Sequence, residues 1–111
     1  MTYRAFDVVV VPFPYSDRLA EKRRPALVVS DDRLEVETGR LWVAMITSVP
    51  SEGIGDVALL ASDRIGLKVG SWLRAGKVAT IDADRVLRRI GRLSLVEEQA
   101  AKAALTTCAG F

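Results

Sequence analysis

The chain has no histidine and a single cysteine, Cys108, among its 111 residues. The first absence removes the commonest general acid/base and the commonest metal ligand together. One cysteine builds neither a zinc site nor an intrachain disulfide, and inside a C-terminal helical pattern Cys108 reads as a small buried hydrophobe. Any chemistry must therefore run on Arg, Lys, Asp, Glu, Ser, Thr or Tyr. No window approaches 18 uninterrupted apolar residues and the N-terminus lacks a signal-peptide layout, so no membrane is expected and the expected setting is a reducing one, the cytoplasm. Nor is there a strong field of one sign. Sixteen Lys+Arg against fourteen Asp+Glu leave a formal charge of +2, too little by itself to attract nucleic acid, so local arrangement has to carry that argument.

What is present fits a globular chain. Half the residues are apolar and 27% are charged, which excludes wholesale disorder. A chain of this length reads as one domain spanning residues 1–111, burying about 65% of its unfolded surface.

The order of elements follows from pattern and punctuation. DVVVVPFP, Asp7 to Pro14, is β-branched and ends at a proline pair, which predicts a strand. Residues 15–24 form a polar loop, and a second strand runs from Pro25 to Ser30. DDRLEVETG is a loop or a short turn of helix ended by Gly39. LWVAMITS, 41–48, DVALLA, 56–61, and SWLRAGKVATID, 71–82, are three more strands, the last with Gly76 placed for a bulge. Asp82 is positioned to cap a short helix through Arg89, with Gly91 as its terminal glycine. Ser94 and Glu97 have capping-box spacing and open a helix to about Ala109, stopped by Gly110. On that helix Val96, Ala100, Ala101, Ala104, Leu105 and Cys108 share one apolar face, and Glu98 with Lys102 forms an i,i+4 pair on the other. Five short strands followed by helices predict an α+β, mainly β fold: a strongly bent sheet or partly open barrel sealed by the last helix.

Three features bear on chemistry. In KRRPALVVS, Lys22, Arg23 and Arg24 crowd against Pro25. Their bland reading is a solvated strand end. The functional reading is an arginine fixed by the following proline and presenting its planar fork to a phosphate. Asp17 and Glu21 are too few to neutralise the triplet together with Arg18. Next, an apolar strand ends in two hydroxyls, Thr47 and Ser48, either a plain strand terminus or a donor close to Arg24. Finally, Arg85, Arg88, Arg89 and Arg92 recur at i, i+3, i+4 and i+7, a helical stripe of like charge that suits either phosphate contact or an acidic partner. Tyr15 and Trp72 are candidate base-stacking aromatics, with core packing the safer reading for Trp72. Ser71 follows a glycine-flanked turn that its hydroxyl is able to close.

The order DVVVVPFPYSD, KRRPALVVS, AMITS, GLKVGSWLRAGKVATID and RRIGRLS, across residues 6–94, resembles the PemK/MazF family of toxin endoribonucleases from toxin-antitoxin modules. The resemblance implies a small SH3-like β-barrel that forms a homodimer, cuts single-stranded RNA without metal or cofactor, and is blocked by a cognate antitoxin whose acidic C-terminal tail fills the same groove. It places the catalytic pair at Arg24 and Thr47, and the substrate-shaping loop from Tyr15 to Arg23, with Tyr15, Ser16, Asp17, Lys22, Arg23, Ser48 and Ser71 as substrate-binding residues. The chain departs from the family at Phe6, where relatives usually carry glycine; glycine would permit backbone angles that phenylalanine avoids, so the turn before the first strand is expected to differ.

Two other functions share the architecture. One is a gyrase poison of the CcdB type, which does not use this arginine. The other is a non-catalytic RNA-binding domain relying on the basic stripe from Arg85 to Arg92.

Overall fold

The computed structural model describes residues 2–12, 23–50 and 52–110. Six strands, β1 (Asp7–Pro12), β2 (Arg23–Val28), β3 (Arg40–Thr47), β4 (Asp56–Leu59), β5 (Ser71–Asp82) and β6 (Arg88–Arg92), form one antiparallel sheet in the order β4-β5-β3-β2-β1-β6. It is curled into a half-barrel. The middle strands are apolar on both faces, so period-2 alternation divides them between two cores. Val8, Leu27, Ala44, Ile46 and Leu73 form one with Leu93 and Ala101; Val9, Val11, Ala26, Val28, Leu41 and Val43 form the other. Gly76 lies where the β3–β5 register shifts, between the pairs Ala44↔Val78 and Met45↔Arg74, as the bulge reading expects.

Helix α1 (Asp32–Thr38) takes up the ambiguous 31–39 segment. Asp31 caps it, accepting from the Arg33 backbone N–H at 2.8 Å, and Gly39 closes it in the left-handed conformation at φ 73°. The Arg33 guanidinium donates to both Asp31 oxygens at 3.0 and 3.1 Å and holds that carboxyl below the ordinary carboxylate range. Helix α2 (Leu95–Ala109) has the expected capping box, Ser94 Oγ accepting from Glu97 N at 3.3 Å and Glu97 Oε1 from Ser94 N at 3.1 Å.

Several expectations fail. The predicted helix over 84–92 is a 3₁₀ turn (Ala83–Arg85) followed by β6, and Asp82 makes no side-chain cap. β6 pairs with β1 around a bulge at Ile90, the residue left over between Val8↔Gly91 and Val9↔Arg89. The bulge turns Arg89 and Arg92 to one side, where both donate to Asp7 Oδ1, at 3.3 and 3.0 Å. The i,i+3 spacing thus serves a bulged strand and an internal ion pair. On α2, Val96 is 77% exposed and Ala100 is also exposed, whereas Ala101 is fully buried with Ala104 and Leu105 half-buried. Cys108 is exposed as well. Among the described residues Lys102 pairs with no carboxylate; its Nζ lies 5.6 Å from the centre of the Phe6 ring. Phe6 itself sits at φ 74°, the left-handed region that its side chain was expected to avoid. Two backbone bonds impose it: Phe6 N donates to Val28 O at 2.7 Å and Phe6 O accepts from Leu93 N at 3.1 Å, while the side chain packs on the first core.

Gly91, expected as a helix terminator, has a different task. A Cβ there would collide with Arg64 O, and one on Gly66, at φ 72°, with Ile90 O. These two glycines let residues 64–67 lie flat on β6, an arrangement locked by Arg92 N donating to Arg64 O at 3.0 Å. Gly91→Ala should force the loop off the strand and cost about 1–3 kcal/mol, read as a lowered midpoint in urea denaturation with an unchanged slope.

Candidate active site

The ladder between β2 and β3 is short. It runs from Val28↔Val43 to Ala26↔Met45 and stops, although β3 itself continues to Thr47 on its pairing with β5. The stop coincides with Pro25, which has no N–H to give and which pairs on its other side with Val10 of β1. Beyond it, Arg23 and Arg24 on β2 part company with Ile46 and Thr47 on β3 and with Ser48 just past that strand, bordering a cavity of about 320 Å³. Continuing the register outward from Ala26↔Met45 sets Arg24 level with Thr47. The proline thus does more than stiffen the chain: it opens the space beside the arginine.

The far wall is the loop docked on β6. Gly66, Leu67 and Lys68 line it, with Ser71 at the start of β5. Lys68 is exposed, Arg23 exposed and Arg24 half-buried. Among the described residues no carboxylate pairs with any of the three. By contrast Arg33, Arg40, Arg74, Arg89 and Arg92 each face one. Among the described residues the cavity therefore concentrates uncompensated positive charge, and none of the described side chains that line it is acidic.

The hydroxyls differ in how they are committed. Thr47 is 5% exposed and its Oγ1 accepts from Val49 N at 3.2 Å; the acceptor side is in use and the hydroxyl proton is left to donate. Ser71 is equally buried, but its hydroxyl donates to Val69 O at 3.1 Å, closing the turn before β5. Ser48 is exposed at the mouth. Of the residues singled out from sequence, the fold gathers Arg23, Arg24, Thr47, Ser48 and Ser71 around one cavity, while Tyr15, Ser16, Asp17 and Lys22 lie outside the described residues. Lys68 was missed because nothing local marks it; the docking of the loop at glycines 66 and 91 brings it to the cavity that Arg24 also lines. The arginines of residues 85–92 belong elsewhere, two of them being bound to Asp7.

Residues 4–108 match the family of PemK-like, MazF-like toxins of type II toxin-antitoxin systems. The chain belongs to that family. It is 39% identical over 83 residues to the endoribonuclease MazF9 of Mycobacterium tuberculosis, a span of 70% of each chain. Among solved structures, MazF of Deinococcus radiodurans superposes with a TM-score of 0.80 at 21% identity, covering 100% of this chain and 99% of that one. An endoribonuclease in complex with its cognate antitoxin from Mycobacterial species gives 0.80 at 18% identity, covering 98% and 96%. At such identities these two superpositions speak for the fold, the small SH3-like half-barrel with a C-terminal helix. The family match sets the toxin apart from the gyrase-poison alternative.

Proposed function

We propose that the toxin is an endoribonuclease that cleaves single-stranded RNA by attack of the substrate's own 2'-hydroxyl, with Arg24 and Thr47 as the catalytic pair. One observation carries this reading: the break in the sheet at Pro25 presents an arginine that has no carboxylate partner among the described residues, beside a buried threonine, in a cavity with cationic walls. The 2'-oxygen bonds to phosphorus and the P–O5' bond breaks, leaving a 2',3'-cyclic phosphate and a 5'-hydroxyl. Charge builds on the phosphoryl oxygens in between, and Arg24 stabilises it while Thr47 donates its free proton to the same group. Arg23, Ser48 and Lys68 bind the flanking backbone; Ser71 shapes the wall through its turn. The proton of the 2'-hydroxyl goes to solvent or to Asp17 or Glu21, the acidic residues that precede Arg24 in sequence. The leaving 5'-oxygen takes a proton from solvent, so that one proton is lost and one gained. No step calls on a metal ion or a cofactor.

The family resemblance and the antitoxin-bound mycobacterial relative support two further parts of the proposal. The toxin acts as a homodimer with RNA crossing both copies, and a cognate antitoxin blocks it by laying an acidic C-terminal tail on the cationic cavity. The chain is a single domain. Among the described residues no helix is long and apolar enough to cross a membrane, and the cytoplasm is where the proposed substrate resides.

Purified toxin at micromolar concentration should cut a long single-stranded RNA in the presence of EDTA, at sites that primer extension will map, leaving fragments with 5'-hydroxyl ends. Intact RNA after incubation with well-folded protein would defeat the proposal.

A further inference from the structure

The β-ladders carry one residue row across the site. Val11 pairs with Arg24, the β2–β3 register continued two residues past its last pair sets Arg24 level with Thr47, Thr47 pairs with Trp72, and Trp72 pairs with Ala58. Residues opposite one another in antiparallel strands point to the same face, and each strand adds about 5 Å. Arg24, Thr47 and Trp72 are therefore successive positions on one face of the sheet, with Trp72 on the strand next to Thr47.

Trp72 is not spent on the core. It belongs to neither buried cluster and is half-buried. Among the described residues no buried side-chain nitrogen or oxygen lacks a partner. Among the described residues its indole N–H donates to no acceptor, so that edge of the ring meets solvent. An aromatic ring with a fixed body and a wet edge is suited to a ligand that is flat and apolar on its face and polar at its rim. Its neighbour on the same face, Arg74, is held by Asp56 at 3.8 Å, and that carboxylate is almost fully buried. The ring is thereby the unclaimed surface next to the catalytic pair.

We infer that Trp72 is the base platform of the site: the nucleobase adjoining the scissile phosphate stacks on the indole while the phosphate lies between Arg24 and Thr47. This rests on the endoribonuclease reading. Stacking accepts every base, so Trp72 fixes where the strand lies and leaves base identity to other groups. Its contact is made in the ground state and kept in the transition state, which places its effect in KM.

Two measurements test it. With mixed-sequence single-stranded RNA, Trp72→Ala should raise KM roughly ten- to hundredfold with kcat little changed, and Trp72→Phe should recover most of the loss. In a Trp42→Phe background, Trp72 is the sole fluorophore of its kind. Titration with mixed-sequence single-stranded DNA, which lacks the attacking hydroxyl, should quench its emission in parallel with the anisotropy of the labelled strand. Unchanged KM in folded Trp72→Ala, or unaltered emission while the labelled strand binds, overturns the platform; if wild type still cuts RNA, the nuclease reading survives that failure. Should Trp72→Ala not fold, the fluorescence result decides alone. RNA left whole by wild type removes both.

Discussion

Arg24→Ala should lower kcat/KM for RNA cleavage by roughly 10²-fold or more, the scale of removing one preorganised donor from a developing oxyanion, while the thermal midpoint stays close to that of wild type. The two halves of this expectation have separate sources. The catalytic half comes from placement, since Arg24 borders the cavity level with Thr47, where Pro25 ends the β2–β3 ladder. The stability half comes from what Arg24 lacks: among the described residues no carboxylate pairs with it, so truncation strands no buried charge. Arg24→Lys keeps the charge but loses the planar fork, and should recover only part of the rate. Thr47→Val, near-isosteric, removes the hydroxyl proton and also the acceptor for Val49 N; its rate loss should be smaller than that of Arg24→Ala and its stability loss larger. If Arg24→Ala retains a tenth or more of wild-type activity, the phosphoryl charge is stabilised elsewhere and the assignment of this residue is wrong.

Strands were legible wherever β-branched runs met Pro or Gly, because those signals act within a few residues. Arg24 was legible for the same reason, its proline lying next to it in the chain. The consequence of that proline was not: a missing N–H opens a cavity only if the neighbouring strand goes on without it, and β3 does so on the strength of its pairing with β5. The arginines of 85–92 show the opposite error. Their spacing imitates one face of a helix, but a bulge at Ile90 lets Arg89 and Arg92, three apart, share a side of a strand. What selects strand over helix is the partner Asp7, more than eighty positions away, which no local window contains. Phe6 teaches the same about backbone angles. Its left-handed φ is set by bonds to Val28 and Leu93, and a residue's own preference yields when its neighbours fix both its N–H and its carbonyl.

That distant pair gives the largest expected change in stability. Asp7 is 4% exposed at its side chain and accepts from Arg92 at 3.0 Å, from Arg89 at 3.3 Å and from the Arg4 backbone N–H at 2.8 Å. Arg92 also donates to Ala5 O at 2.9 Å. One carboxylate thus ties the N-terminal turn, β1 and β6 together. Asp7→Ala leaves two guanidiniums facing an empty, water-poor position, and breaking a buried pair from one side costs about 3–5 kcal/mol. The arginines are 48% and 30% exposed and regain some hydration, which favours the lower end, about 3 kcal/mol. For a domain of this size that is a fall in thermal midpoint on the order of 10 °C. Asp7→Asn should lose less, since its amide oxygen still accepts one of the three donors. Well below the midpoint, cleavage per folded molecule by Asp7→Ala should match wild type, because the clamp holds β6 in place without contributing to the cavity wall. A midpoint within 2 °C of wild type would mean that the ion pair does not hold β6, and a lowered rate in fully folded protein would mean that the clamp reaches the catalytic cavity through the loop docked on Gly91.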